Sequence, residues 1–204
     1  MSNLELVKKL KKDGILISKK IEDALLVVDR VDFVTEENRN YAYEDVALPT
    51  LSGQTMSQPT TVTFMLEKLD LKKGLSVLEI GFGSGWVTAL MAKIVGEKGS
   101  VEAFEIDDDI YKFGSKNLEK YGFINIGLHL GSSVEYLKKA KKYDRIISGA
   151  AFGGNLKLIR ESLKVGGVAV IPLQNNSIHK ITRTKDDFIK ENYYGFVFVP
   201  LIED

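Results

Sequence analysis

The sequence predicts an α/β fold: a doubly wound, mostly parallel sheet with N-terminal helices and a C-terminal antiparallel hairpin. Three observations carry this. From Lys73-Gly74 onward, short apolar runs alternate with amphipathic helical patterns, as in a parallel sheet covered by helices on both faces. One of these runs leads directly into a glycine-rich turn that opens a helix, Val77-Leu78-Glu79-Ile80-Gly81-Phe82-Gly83-Ser84-Gly85-Trp86. After Leu173 the helical patterns stop, and two segments rich in β-formers, Ile178–Thr184 and Ile189–Pro200, follow the turn signal Asn175-Asn176.

Taken in order, Leu4, Leu6, Val7 and Leu10, then Ile21, Ala24, Leu25 and Val28, recur at helical spacing on either side of Asp13-Gly14. They predict two N-terminal helices. Between Asp32 and Gln58 the periodicity is weak, and Pro49, Gly53, Tyr41 and Tyr43 give a polar and aromatic segment. Irregular stretches of that length are often binding loops. Pro59 suits the first turn of a helix whose apolar stripe is Val62, Met65, Leu66 and Leu69. Strands are then expected at Ser76–Ile80, Ser100–Ile106, Ile126–Leu130, Tyr143–Ile147 and Val168–Leu173. Helices are expected at Trp86–Val95, Asp109–Tyr121, Val134–Lys139 and Leu156–Leu163.

Composition narrows the function classes. A chain of 204 residues with 44% apolar side chains buries a sizeable core without staples. Basic and acidic residues both number 28, so no net field steers the chain to nucleic acid or to an anionic membrane. With no cysteine, disulfides, thiolate metal sites and a cysteine nucleophile are excluded, and a cytoplasmic protein fits best. The N-terminus is too polar for a signal peptide, and no apolar run approaches the roughly 20 residues that span a bilayer. A monomer or small oligomer, without nucleic acid, membrane or metal as partners, is expected.

The glycine turn is a nucleotide-binding context, because glycines admit close backbone approach and a helix start presents unpaired N–H groups. Its spacing is Gly-x-Gly-x-Gly, however, and Trp86 stands where a dinucleotide fingerprint places its third glycine. NAD is therefore disfavoured. Glu79, two residues before Gly81, and Glu105, at the end of the second strand, sharpen the pattern, since a carboxylate accepts from both hydroxyls of a ribose.

Further stretches carry a family resemblance. Tyr41-Ala42-Tyr43-Glu44-Asp45 with Leu48-Pro49, then Gly53-Gln54-Thr55-Met56-Ser57-Gln58-Pro59, and the closing Phe198-Val199-Pro200-Leu201 resemble protein-L-isoaspartate O-methyltransferases from about Leu6 to Ile202. The resemblance implies a Rossmann-like class I methyltransferase fold with S-adenosyl-L-methionine as cofactor and S-adenosyl-L-homocysteine as product. It implies methyl transfer to the free carboxylate of L-isoaspartyl residues in damaged proteins or peptides, a repair reaction. By the same carry-over Ser57 is the catalytic residue, with Thr55, Met56, Glu79, Gly81, Gly83, Gly85, Glu105, Ile106, Ser132 and Ser133 around the cofactor. One domain, 1–204, would then comprise an N-terminal helical extension and substrate-side loop (1–58) and a cofactor-binding core (59–204).

The chemistry needs no general base, because an isoaspartyl carboxylate with a pKa near 4 is already ionised at pH 7. Alignment remains. His129 and His179 are the only imidazoles, one in a strand pattern and one in the hairpin, and both are expected to be structural or on the surface. Ser57 would donate a hydrogen bond to the substrate carboxylate. Its alternative role is to cap the helix that starts near Pro59.

The chain departs from the family pattern at four places, one of them Thr60-Thr61 after Pro59. Gly131-Ser132-Ser133 replaces the usual Gly-Asp-Gly, whose aspartate reads adenine; losing one charged hydrogen bond costs on the order of 1.5–3 kcal/mol. Gly149-Ala150-Ala151-Phe152-Gly153-Gly154 replaces a proline-stiffened loop, and Pro49-Thr50-Leu51-Ser52-Gly53-Gln54 replaces Pro-Ile-Gly-Tyr-Gly-Gln. Two other readings therefore stand beside repair: methylation of another carboxylate, such as that of a modified peptide, and a catalytically silent binding or scaffold relative.

Overall fold

The computed structural model describes residues 1–139 and 141–202. It opens with α1 (Asn3–Lys12) and α2 (Lys19–Val27). Ser2 and Glu5 form a reciprocal capping box at the start of α1, satisfying two donors that no helical turn can reach. Leu6, Val7 and Leu10 of α1 and Ile21, Ala24 and Leu25 of α2 are buried. The segment of weak periodicity holds three 3-10 turns, Arg30–Phe33, Glu36–Tyr41 and Leu51–Gly53, and a small antiparallel ribbon of β1 (Leu48–Pro49) and β2 (Thr55–Met56). α3 (Pro59–Leu69) follows, with Val62, Met65, Leu66 and Leu69 buried.

Strands and helices then alternate as β3 (Ser76–Ile80), α4 (Trp86–Val95), β4 (Ser100–Glu105), α5 (Asp108–Glu119), β5 (Ile126–Leu130), α6 (Ser133–Leu137), β6 (Tyr143–Ser148) and α7 (Lys157–Glu161). The chain closes with β7 (Leu163–Leu173), β8 (Ser177–Arg183) and β9 (Phe188–Tyr194). The sheet order is β5-β4-β3-β6-β7-β8-β9. Strands β3 to β7 pair in parallel, and β8 and β9 add an antiparallel edge. From β3 the chain winds outward to β4 and β5 on one side and to β6 and β7 on the other. The carboxyl ends of β3, β4 and β6 therefore flank the switch point at which such sheets bind ligands.

Two buried clusters sandwich the sheet. The larger joins Leu6, Leu10 and Leu25 of the N-terminal helices to Leu66, Trp86 and Leu90 and to Val77 of the sheet. The smaller joins Leu78 and Ile146 to Leu137 and Ile159 on the opposite face.

Most element ends lie within one or two residues of the sequence expectation, and two boundaries differ by more. Leu163 belongs to β7 and not to a helix: the Tyr143 amide donates to the Ser162 carbonyl at 2.8 Å, and Tyr143 pairs with Leu163, so sheet pairing captures the chain five residues early. The hairpin's second arm ends at Tyr194 and does not run to Pro200. Gly195 takes a φ of 92°, and the amides of Gly195 and Phe196 both donate to the Asn176 carbonyl. Beyond that turn the chain crosses back to the end of β6, where Ala151 donates to Val199 and accepts from Leu201, each at 2.8 Å. Phe196 stacks on Phe64 of α3 with ring centroids 5.0 Å apart. Among the described residues, no helix is long and apolar enough to cross a membrane.

Candidate active site at the sheet switch point

The loop after β3 is shaped by backbone conformations that side chains resist. Gly81, Gly83 and Gly85 have φ values of 70°, 56° and 88°. Gly85 is the N-cap of α4, and a Cβ there would stand 2.9 Å from the Leu118 side chain. Gly149, after β6, sits so close to the loop that a Cβ would fall 2.4 Å from the Gly81 carbonyl. The ends of β3 and β6 thus touch backbone to backbone.

Glu105 organises the other side. One carboxylate oxygen accepts from the Gly83 amide at 3.1 Å, and the second accepts from the amides of Ile106 at 2.8 Å and Asp107 at 3.2 Å. The glycine loop and the start of α5 are therefore tied to one side chain. Glu79 is 2% exposed and accepts from the Thr88 hydroxyl at 2.5 Å. Burial, reinforced by the nearby Glu105 charge, pushes its carboxyl up to about 8.

Three clefts open to solvent meet here, of about 570, 640 and 350 Å³. The first is lined by Met56, Ser57, Glu79, Phe82 and Trp86 among others. The second is lined by Gln54, Phe104, Glu105, Ile106, Ser132, Ser133 and the tail residues Val199 to Ile202. The third lies between Ser57, Gln58 and Thr61 and the tail residues Val197 to Val199. Thr55 and Gly149 line all three, and Gly81 and Gly83 line the first two. Of the residues expected around the cofactor, only Gly85 faces none of the cavities; it serves the loop's conformation instead.

Two hydroxyls stand out. The Ser132 oxygen is buried without a partner, although Ser132 is the N-cap of α6. Ser57 lies just before α3 but does not cap it: the N-cap is Gln58, and Asp45 accepts from the Thr60 amide at 2.8 Å and from its hydroxyl at 2.6 Å. The Ser57 carbonyl accepts from Arg30 at 3.2 Å. Neither histidine reaches the cavities. His129 sits 2.5 Å from Glu102 and stacks on Phe104, while His179 is buried in β8, where burial lowers its pKa.

Sequence reasoning did not single out Arg30, Asp45, Gly149 or the returning tail as parts of this site. Asp45 and the tail were visible only as stretches of family likeness. Arg30 lies in no periodic pattern and carried no signal.

Comparison with known proteins decides the family. Protein-L-isoaspartate(D-aspartate) O-methyltransferase is the family description that matches residues 1–204. The chain belongs to this family. The protein-L-isoaspartate O-methyltransferase of Ignicoccus hospitalis is 35% identical over 204 residues, covering 98% of this chain and 97% of its own. That of Pyrococcus horikoshii is 39% identical over 201 residues, covering 96% and 90%. A Plasmodium falciparum structure of a PCMT in complex with S-adenosyl-L-homocysteine superposes with a TM-score of 0.90 over 100% of both chains, at 23% identity. As a protein-L-isoaspartate O-methyltransferase family member the chain is a methyltransferase, and S-adenosyl-L-methionine is its methyl donor. The residues present fit such a donor. The second cavity offers an unpartnered buried hydroxyl at Ser132, and the first offers a buried acid, Glu79, with no cationic partner among the described residues.

Proposed function

We propose that this chain methylates the free α-carboxylate of L-isoaspartyl residues in damaged proteins or peptides. One carboxylate oxygen bonds to the methyl carbon while the carbon–sulfur bond breaks, its electron pair staying on sulfur as S-adenosyl-L-homocysteine. The ester then closes to a succinimide, losing methanol, and part of that hydrolyses to normal aspartate. When bound, the donor supplies an electrophilic methyl group. Everything else is the work of this chain's residues.

The observation that carries the reading is the placement of Ser57. Its hydroxyl has no partner among the described residues, it borders the first and third cavities, and Asp45 has relieved it of capping. Such a hydroxyl is available to donate to a substrate carboxylate and hold it in line, and alignment is the main barrier left when the nucleophile is already ionised. Glu105 and Ile106 would hold the ribose end of the donor, and Ser132 and Ser133 the base. Thr55, Met56, Gly81 and Gly83 would line its length, with Glu79 facing its ammonium. The tail beside the third cavity leaves room for a peptide. Residues 1–58 then form the substrate side and 59–204 the cofactor core of one domain. We place the activity in the cytoplasm, in a monomer or small oligomer acting without nucleic acid.

The altered residues Leu51, Ser52 and Phe152 give little support to a different carboxylate. Phe152 is buried and bridges Leu173, and neither Leu51 nor Ser52 lines a cavity. The test is labelled-methyl incorporation into an isoaspartyl peptide beside its aspartyl twin. Incorporation into the isoaspartyl peptide alone is expected; equal labelling, or none, refutes the reading. Calorimetry with S-adenosyl-L-homocysteine separates a silent relative, which would bind nothing at millimolar ligand.

A further inference from the structure

The Arg30 side chain is fully buried, yet no carboxylate pairs with it among the described residues. All its hydrogen bonds go to backbone carbonyls; the Asp45 charge favours the cation from a distance, and Nε has no partner. Nη1 donates to the carbonyls of Ala42 at 2.8 Å and Glu44 at 3.1 Å, and Nη2 donates to those of Val46 at 3.0 Å and Ser57 at 3.2 Å. The guanidinium lies 5.3 Å from the centre of the Trp86 ring, a cation–π contact with the first residue of α4. Burial pushes its pKa down to about 10, so the group remains a cation at neutral pH.

Burying a charge is unfavourable unless hydrogen bonds replace its water. Here all four replacements come from residues 42 to 57, the segment that leads into the site, and none comes from the sheet. One planar fork therefore gathers both ends of that segment and fixes the peptide that carries Ser57. An ammonium presents no such planar array.

We propose that Arg30 is a positioning residue for methyl transfer: by locking the Ser57 carbonyl it holds the Ser57 hydroxyl at the junction of the cavities. This rests on the role given to Ser57 above. Arg30 touches neither donor nor acceptor, and it acts through the peptide it holds.

The experiment is a double-mutant cycle in the full chain. Arg30→Lys keeps the charge and loses the fork. It is expected to lower kcat/KM for an isoaspartyl peptide at least tenfold, with the Kd for S-adenosyl-L-homocysteine within twofold of wild type. In a Ser57→Ala background the same substitution should change kcat/KM less than threefold, because the group through which Arg30 acts is gone. Additive losses, or a loss matched by weaker cofactor binding, overturn the proposal. If the lysine variant does not fold, Arg30→Gln carries the same cycle; failure of both to fold makes Arg30 a folding residue and also overturns it. A wild-type chain that methylates no isoaspartyl peptide refutes the function separately. The cycle is then read on the Kd of that peptide in the presence of S-adenosyl-L-homocysteine, where non-additivity is again required.

Discussion

The Asp45 carboxylate caps α3 from fifteen residues upstream, accepting from the Thr60 amide at 2.8 Å and its hydroxyl at 2.6 Å. A cap supplied across a loop ties the loop to the helix and leaves the nearby serine free. Asp45→Ala should cost about 1 kcal/mol of stability, a fall in Tm of roughly 2–4 °C for a chain of this size. Ser57→Ala should leave Tm nearly unchanged. Scanning calorimetry of the two variants checks this, and the opposite ranking would return Ser57 to a capping role.

Turnover should separate the same pair in the other direction. Ser57→Ala is expected to lower methyl transfer to an isoaspartyl peptide at least tenfold while cofactor affinity barely moves, since alignment of the acceptor is lost and the donor's contacts remain. Radiolabel assays with calorimetric Kd values measure both. Turnover per folded molecule that equals wild type removes Ser57 from catalysis.

Glu105 accepts from three amides, and the glycine loop takes its shape partly from them. Glu105→Ala should weaken S-adenosyl-L-homocysteine binding at least tenfold, because a charged acceptor and its loop anchor go together. Glu105→Gln, which retains one acceptor oxygen, should lose less. Titration calorimetry ranks them, and unchanged affinity in the alanine variant would take Glu105 out of the site.

Buried Glu79, with its carboxyl pushed up to about 8 from an ordinary 4.5, makes stability fall with pH. The folded protein keeps a proton that the unfolded chain releases, so this contribution is complete below about pH 4.5 and is lost as pH rises through about 8. Glu79→Gln cannot titrate. In urea unfolding at about pH 5.5 and about pH 8.5, wild type should lose ground to the variant at the higher pH. A pH-independent difference would mean that the carboxyl ionises as usual.

Ser132 lines the second cavity, and its hydroxyl is buried without a partner. Ser132→Asp should tighten S-adenosyl-L-homocysteine binding, because a carboxylate accepts from an exocyclic amine more strongly than a hydroxyl does. Weaker binding in this variant, again by calorimetry, would show a pocket rebuilt around the serine.

Much of this architecture is legible in one dimension. β3, β5 and α4 match their sequence patterns end to end, because each is a run of one period between clear turn signals. Glu79 and Glu105 were legible because strand ends are countable from the glycines. Chain reversal and long-range pairing are harder to read. Phe196 to Pro200 look like more of an extended arm, yet Gly195 turns them away from β9 to pair with Ala151. Arg30 was invisible for a related reason: its partners are carbonyls, which every residue possesses, so no side-chain pattern marks the four it selects.

The returning tail also bears on truncation. Every parallel strand is complete by Leu173, whereas residues 197 to 202 supply walls of the second and third cavities. A chain cut after Tyr194 retains all the strand pairings of the seven-stranded sheet and loses those walls. The pocket can thus be dismantled by a cut that spares the sheet.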